Sequence, residues 1–300
     1  NRIIRMPKVI SKGCITNRDQ GGGNSKCGLG KTTGFRFRSN RFPNTKTTLT
    51  KCKDKTHTFE EDSINLRNAV KLWLSNKRSA INIYGHISRW DVSKVKDFSW
   101  LFADKKDVIY CQEDQGCTFP GSFVGAFTQY LGDTTDFDED LSCWNVSNAT
   151  NMSYMFSGAT NFNHPLDKWN VSNAENMNAM FNSASEFNQP LNNWDVSNVI
   201  DMSFMFYNAE KFNQPLNAWD VSNVTNMDSM FQYAKKFNQP LNKWDVSKVT
   251  DMVSMFYGAT DFNQNLSSWC LNFAEPLNFA TGSGIANKPI NTLPKWNCSN

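Results

Sequence analysis

The sequence predicts a repeat solenoid: coils of one short strand and one short helix, stacked into an elongated body and capped at both ends. Three observations carry this. Tryptophan recurs at a constant step, at Trp144, Trp169, Trp194, Trp219, Trp244 and Trp269, a period of about 25 residues that falls in the range of stacked arrays. Each stands in a common phrase, of which Phe187-Asn188-Gln189-Pro190-Leu191-Asn192-Asn193-Trp194-Asp195-Val196-Ser197 is a clear copy. Within a copy the apolar spacing changes, so two kinds of local structure alternate along the chain.

The elements follow in order. Residues 1–57 read as a basic arm of Arg and Lys among Gly, Ser, Thr and Asn, extended or disulfide-tied and too poor in apolar residues to fold compactly alone. The N-terminal cap is expected over 58–89. There Ile64-Asn65-Leu66-Arg67-Asn68-Ala69-Val70-Lys71-Leu72-Trp73-Leu74 suits an amphipathic helix lying over the first coil. The solenoid runs over 90–269, beginning with Trp90-Asp91-Val92-Ser93. The span from Trp90 to Trp144 slightly exceeds two periods, which fits two coils if the second carries an irregular insertion at 103–136. Cys111 and Cys117 are placed to close that bulge. In a regular copy Phe212, Leu216, Trp219 and Val221 suit an extended segment with Trp-Asp-Val-Ser as its strand, and Pro215 fits a turn. Val224, Met227, Met230, Phe231 and Ala234 mark one face of a short helix, with Thr225 or Asn226 as its cap. After Trp269 the phrase breaks, and a C-terminal cap is expected over 270–300, where Cys298 can pair with Cys270. Closing that loop is worth about 3.6 kcal/mol in the chain-entropy model.

One coil cannot bury its apolar side, but neighbours stacked at about 4.8 Å can. A stacked indole buries roughly 150–250 Å², or about 4–6 kcal/mol of gross burial per repeat at about 25 cal/mol/Å². The recurring Trp, Met and Phe are therefore read as core. The Asn residues beside them are read as ladders that satisfy the turns.

Composition supports a folded chain, since 39% of it is hydrophobic and 13% aromatic. No apolar run approaches the about 18 residues of a transmembrane span. The start at Asn1 without an apolar leader suggests a processed chain or a fragment. The net charge of +3 hides a division: residues 1–57 hold 14 Lys and Arg against Asp19 and Asp54, a net of +12, and the rest of the chain holds 17 against 26 acids, a net of −9. A basic arm on an acidic body is a statement about partners. The eight cysteines form no C-x-x-C pair and crowd the ends and the insertion, which suits disulfides and an oxidising compartment.

The run from Phe187 to Leu216, FNQPLNNWDVSNVIDMSFMFYNAEKFNQPL, resembles the repeat of the BspA-type leucine-rich-repeat surface proteins. The likeness covers roughly residues 60–298. The resemblance implies a leucine-rich-repeat-like right-handed solenoid displayed outside the cell, and an adhesion or surface-interaction role without catalysis. It carries over no catalytic residue. The arm and the 103–136 insertion depart from the pattern.

Candidate sites are few. Ser25 to Thr32 superficially resembles a phosphate loop but lacks the first Gly and a preceding strand. Asp136, Asp138 and Asp140 have the opening spacing of a calcium loop, but Leu141 stands where such a loop needs Gly, leaving a looser calcium site or a solvated acidic turn. Asp91, Asp195, Asp220 and Asp245 each follow a repeat Trp; turn capping accounts for them more simply than a row of bound cations. His57, His86 and His164 are scattered, with no nucleophile–base pairing, so no enzyme and no cofactor is expected. The arm is the best functional lead, through Arg36, Arg38, Arg41, Lys51, Lys53 and Lys55. Its expected partners are other copies of this chain or other surface proteins, or an acidic polysaccharide. Nucleic acid is the weakest choice because aromatic residues are sparse there. The expected function is a non-enzymatic extracellular structural protein of a surface layer, appendage, filament or virion, the arm docking on a neighbouring acidic solenoid. The rival is a cell-surface adhesin or receptor module that binds a host protein or glycan.

Overall fold

The computed structural model describes residues 52, 54–104 and 132–298, all of which lie in one unit, Pro43–Asn300. The chain enters through strand β1 (His57–Thr58), followed by helices α1 (Ser63–Ser75) and α2 (Lys77–Tyr84) and strand β2 (Trp90–Asp91). Asp62 starts α1 by accepting the Ile64 N–H at 2.9 Å. Leu66, Ala69, Val70 and Trp73 form its buried face over the first coil. Asn76 ends one helix and starts the next: its N–H donates to the Leu72 carbonyl, and its side chain accepts the Ser79 N–H. Gly85, at φ +76°, closes α2, and a Cβ there would lie 2.5 Å from Thr56.

β1 pairs in parallel with β2, His57 opposite Trp90 and Thr58 opposite Asp91. A segment expected in the arm thus closes the edge of the first coil. Cys52 bonds to Cys143 across 91 positions, fixing this segment to the coil of Trp144. The pairing escapes sequence spacing because Cys143 is adjacent to Cys52 only once the coils are stacked.

The coils lie one on another in register. Single-residue parallel bridges join Asp97, Asn151, Asn176, Asp201, Asn226 and Asp251, each to the next. The interior holds columns of like residues. Phe156, Phe181, Phe206, Phe231 and Phe256 follow one another at 5.6–5.8 Å with their rings nearly parallel. Trp169 and Trp194 lie 6.5 Å apart at 2°. Every repeat Trp is buried, and its indole N–H donates to a carbonyl of the preceding coil, as Trp219 does to Leu191 at 2.9 Å.

The described repeat coils contain no α-helix. The Met-x-x-Met-Phe stretch has helical spacing but not a helix, because two residues per coil take left-handed backbone: Tyr154 and Gly158, Ala179 and Ser183, Phe204 and Asn208, Ser229 and Tyr233, Ser254 and Gly258. Left-handed residues break the i→i−4 ladder. In its place the N–H groups alternate. Met230 donates within its coil to the Met227 carbonyl, whereas Met227, Ser229, Phe231 and Tyr233 donate to Asp251, Val253, Met255 and Tyr257 of the next. The expected Trp-Asp-Val-Ser strand forms only at Trp90–Asp91; in a regular coil Trp219 N–H closes one turn on the Leu216 carbonyl and Val224 N–H closes the next on the Val221 carbonyl.

Two coil boundaries differ from expectation. Phe98, Trp100, Phe102 and Asp104 donate directly to Asn151, Ser153, Met155 and Ser157, and Trp90 stacks on Trp144 at 6.5 Å. The span from Trp90 to Trp144 is therefore one coil carrying a long insertion, not two coils. Phe137 resumes the stack between Phe102 and Phe162. At the other end the cap contains a further turn of the array. Ser254, Phe256 and Gly258 donate to Leu277, Phe279 and Thr281, and Asn278 and Gly282 repeat the left-handed pair. Cys270 bonds to Cys298, and Cys270 bridges to Lys295, holding Trp296 against Phe279 at 5.0 Å.

Candidate interaction surface

Most polar side chains of the repeat are committed to the stack. Asp91, Asp195, Asp220 and Asp245 each accept the N–H two residues on, at 3.0–3.1 Å, as Asn145 and Asn170 do in the same place. They are turn caps. Ser222 holds the Asp220 carboxyl below its ordinary range. Burial pushes Asp91 up, but Ser93, Lys55 and Thr58 outweigh it and leave its carboxyl low. Asn163, Asn188, Asn213 and Asn238 form a ladder in which each Oδ1 accepts the N–H of the residue 25 positions later. Asn148, Asn173, Asn198 and Asn223 form a second one, donating to serine carbonyls of the preceding coil.

The sequence-derived candidates fall as follows. Asp136 accepts from Asn161, Asp138 from the Asn163 N–H with His164 at 3.3 Å, and Asp140 from the Ser142 N–H. The calcium reading needs three carboxylates on one point. The turn aims them at three different donors, and among the described residues no group of three or more His, Cys, Asp or Glu gathers as a metal would require. Lys55 is drawn into the body, donating to the Cys143 carbonyl at 2.7 Å, with burial lowering its pKa against the pull of Asp91. Arg36, Arg38, Arg41, Lys51, Lys53, Cys111 and Cys117 lie outside the described residues. No described helix is long and apolar enough to cross a membrane.

A surface that sequence reasoning missed lies on the bridge side of the coils. There the chain stops repeating itself. Around the recurring Met, Met and Phe, the intervening positions read Ser153-Tyr154, Asn178-Ala179, Ser203-Phe204, Asp228-Ser229 and Val253-Ser254. The next pair of turn positions reads Ser157-Gly158, Asn182-Ser183, Tyr207-Asn208, Gln232-Tyr233 and Tyr257-Gly258. Half-buried aromatics stand in the first two coils, where Trp100 stacks on Tyr154 at 3.8 Å, and again in the C-terminal coils. Tyr207 meets Tyr233 edge-on at 5.9 Å, and Tyr233 meets Tyr257 edge-on at 5.4 Å. Ile200 (49% exposed), Val253 (36%) and, in the added turn of the cap, Leu277 (73%) are large hydrophobics left open.

This face is also one-signed. From Ala174 to Ala184, Val199 to Ala209, Val224 to Ala234 and Val249 to Ala259 it carries Glu175, Asp201, Asp228 and Asp251 and no Lys or Arg. Burial pushes the Asp228 carboxyl up; Ser229 opposes this, and Asp251 and Asp201 add to it. The neighbouring edge instead pairs its charges between coils, Lys211 with Glu186, Lys235 with Glu210 and Lys236 with Asp261. Comparing the internal copies column by column would have found the face, because positions needed for stacking repeat and the others drift.

No curated protein and no solved structure matches the chain. A family model does, over residues 77–109, 118–205 and 186–296, most of the chain's length, and its segments take in α2, the coils and most of the C-terminal cap. By that match, the chain belongs to the family described as Mycoplasma protein of unknown function, DUF285.

Proposed function

We propose that this protein is a non-enzymatic structural protein that assembles with other copies of itself outside the cell, its basic arm docking on the acidic body of a neighbour. The observation that carries the reading is the division of charge, +12 over residues 1–57 against −9 over the rest. A contact between two different surfaces of like molecules is heterologous and continues into rings or filaments. The two disulfides at the ends of the array support an oxidising compartment, such as a surface layer, appendage or virion. The in-register coils support a right-handed leucine-rich-repeat-like solenoid, and the repeat phrase supports a BspA-type surface protein as the finer family reading.

The test is sedimentation velocity on the full chain and on a chain lacking residues 1–50, which keeps Cys52, Lys55 and β1. Exposed charges separated by more than a Debye length of about 8 Å at physiological salt are screened. Association should therefore be strongest at low salt, weaken as salt rises, and vanish with the arm. A full chain that stays monomeric at every salt concentration overturns the reading and favours an adhesin or receptor.

A further inference from the structure

The bridge-side face and the arm have complementary chemistry. From Gln20 to Lys53 the chain has eight Lys and Arg residues and no Asp or Glu. Six of these recur at every fifth position: Lys26, Lys31, Arg36, Arg41, Lys46 and Lys51. Glu175, Asp201, Asp228 and Asp251 stand one per coil on the face, beside Phe204, Tyr233 and Tyr257. An extended five-residue step covers about 16 Å, and three coil steps of about 5 Å cover nearly the same distance. Two successive cations of the arm therefore match the two ends of the acidic stretch. Tyrosine rings in the same coils add cation–π attraction, which favours Arg.

We infer that the arm of a second copy crosses this face through one stretch of the Lys26–Lys51 series, Arg36 to Arg41, its cations over the acidic stretch of Asp201, Asp228 and Asp251 and its apolar atoms on Ile200, Phe204, Tyr233 and Val253. The inference rests on the assembly reading above and names where the arm docks. A second copy is the occupant because the assembly reading joins the basic arm of one molecule to the acidic body of another. A cation there also relieves the mutual repulsion that Asp228 experiences from Asp201 and Asp251.

Two full-length variants test this. The face variant is Asp201→Asn, Asp228→Asn and Asp251→Asn. Each change writes in the residue of a sister coil, since Asn151, Asn176 and Asn226 share a column with Asp201 and Asp251, and Asn178 that of Asp228. Asn151, Asn176 and Asn226 accept the same turn N–H, so the turns survive. The arm variant is Arg36→Glu, Arg38→Glu and Arg41→Glu. Unchanged circular dichroism and a thermal midpoint no lower than that of the natural chain establish that both fold.

By sedimentation velocity at low salt, each variant alone should associate more weakly than the natural chain. The face variant should do so by roughly threefold to hundredfold, from the loss of three ion pairs at the surface-pair magnitude. Mixed together they should form one-to-one pairs, because the intact arm of one meets the intact face of the other. If the face variant associates like the natural chain while the arm variant does not, the arm docks elsewhere; the face assignment falls and the assembly reading stands. A mixture that stays monomeric although the natural chain associates shows that an intact arm does not meet an intact face, which overturns the second-copy contact. If the natural chain does not associate at low salt, the assembly reading fails and this contact with it.

Discussion

Trp219→Phe isolates what the Trp column contributes beyond greasy volume. The Trp219 indole is buried, and its N–H donates to the Leu191 carbonyl at 2.9 Å. That carbonyl also accepts the Trp194 N–H at 3.1 Å, so it keeps one partner when the indole is removed. The cost is then a net hydrogen bond, about 1 kcal/mol, rather than the larger penalty of an orphaned buried group. Phe also leaves a gap of roughly 40 Å³ where the second ring was, about 1 kcal/mol at about 24 cal/mol per Å³. Together the change should destabilise by about 2 kcal/mol, against about 3–5 kcal/mol for Trp219→Ala. Urea unfolding followed by far-ultraviolet circular dichroism reads both differences as shifts in midpoint at constant slope. A Trp219→Phe chain as stable as the natural one, with Trp219→Ala still costing several kcal/mol, would refute the bonded-column account and leave ring burial as the only contribution.

The remaining predictions concern the turns, a carboxylate and the cap. Gly258→Ala places a Cβ 2.6 Å from the Tyr233 ring at φ +66°, whereas at Gly282 (φ +74°) the nearest atoms are 3.7 Å away. Gly282→Ala should therefore cost only the left-handed penalty of about 1–2 kcal/mol, and Gly258→Ala measurably more; equal thermal shifts for the two would contradict this. Asp228 has a folded pKa raised above its unfolded value, so its contribution is fully present below the unfolded pKa and is lost as pH rises through the folded one. Asp228→Asn should be more stable than the natural chain at neutral pH, with the gap closing near about pH 4 and below; a gap that is constant with pH would count against the burial argument. Cys270→Ser should lower stability by about 3–4 kcal/mol through loop closure and loosen Trp296 first. Hydrogen exchange should show early exposure around 271–298 while the coils of Trp169 to Trp244 stay protected; uniform loss of protection would mean that the cap and the array unfold together.

Much of the core is legible in the sequence. Trp144 to Trp269 and the Met, Met and Phe columns are fixed points of a period, and a period can be read directly. The helix over Ser63–Ser75 is legible for the same reason, through its buried Leu66, Ala69, Val70 and Trp73. The turn caps at Asp195, Asp220 and Asp245 follow from side-chain chemistry that acts two residues away. What escapes is backbone sign. Ser229 and Tyr233 have ordinary side chains, and nothing in them announces a positive φ, so apolar spacing alone suggests a helix where the chain makes consecutive turns. The bridge-side face escapes with it, because a helix would have buried those columns differently.

The sequence by itself determined that the chain is an array, where its apolar columns lie, and that a basic segment precedes an acidic body. These are properties of period and charge, which survive any conformation. Only the tertiary structure decided that Trp90 and Trp144 belong to adjacent coils, that Cys52 meets Cys143, and that Asp201, Asp228 and Asp251 share a face with Phe204, Tyr233 and Tyr257. The physical reason is that the stack is held by N–H groups reaching carbonyls of the next coil, as Phe206 reaches Met230. A bond of that kind depends on how the coil closes, and neighbouring residues carry no record of it.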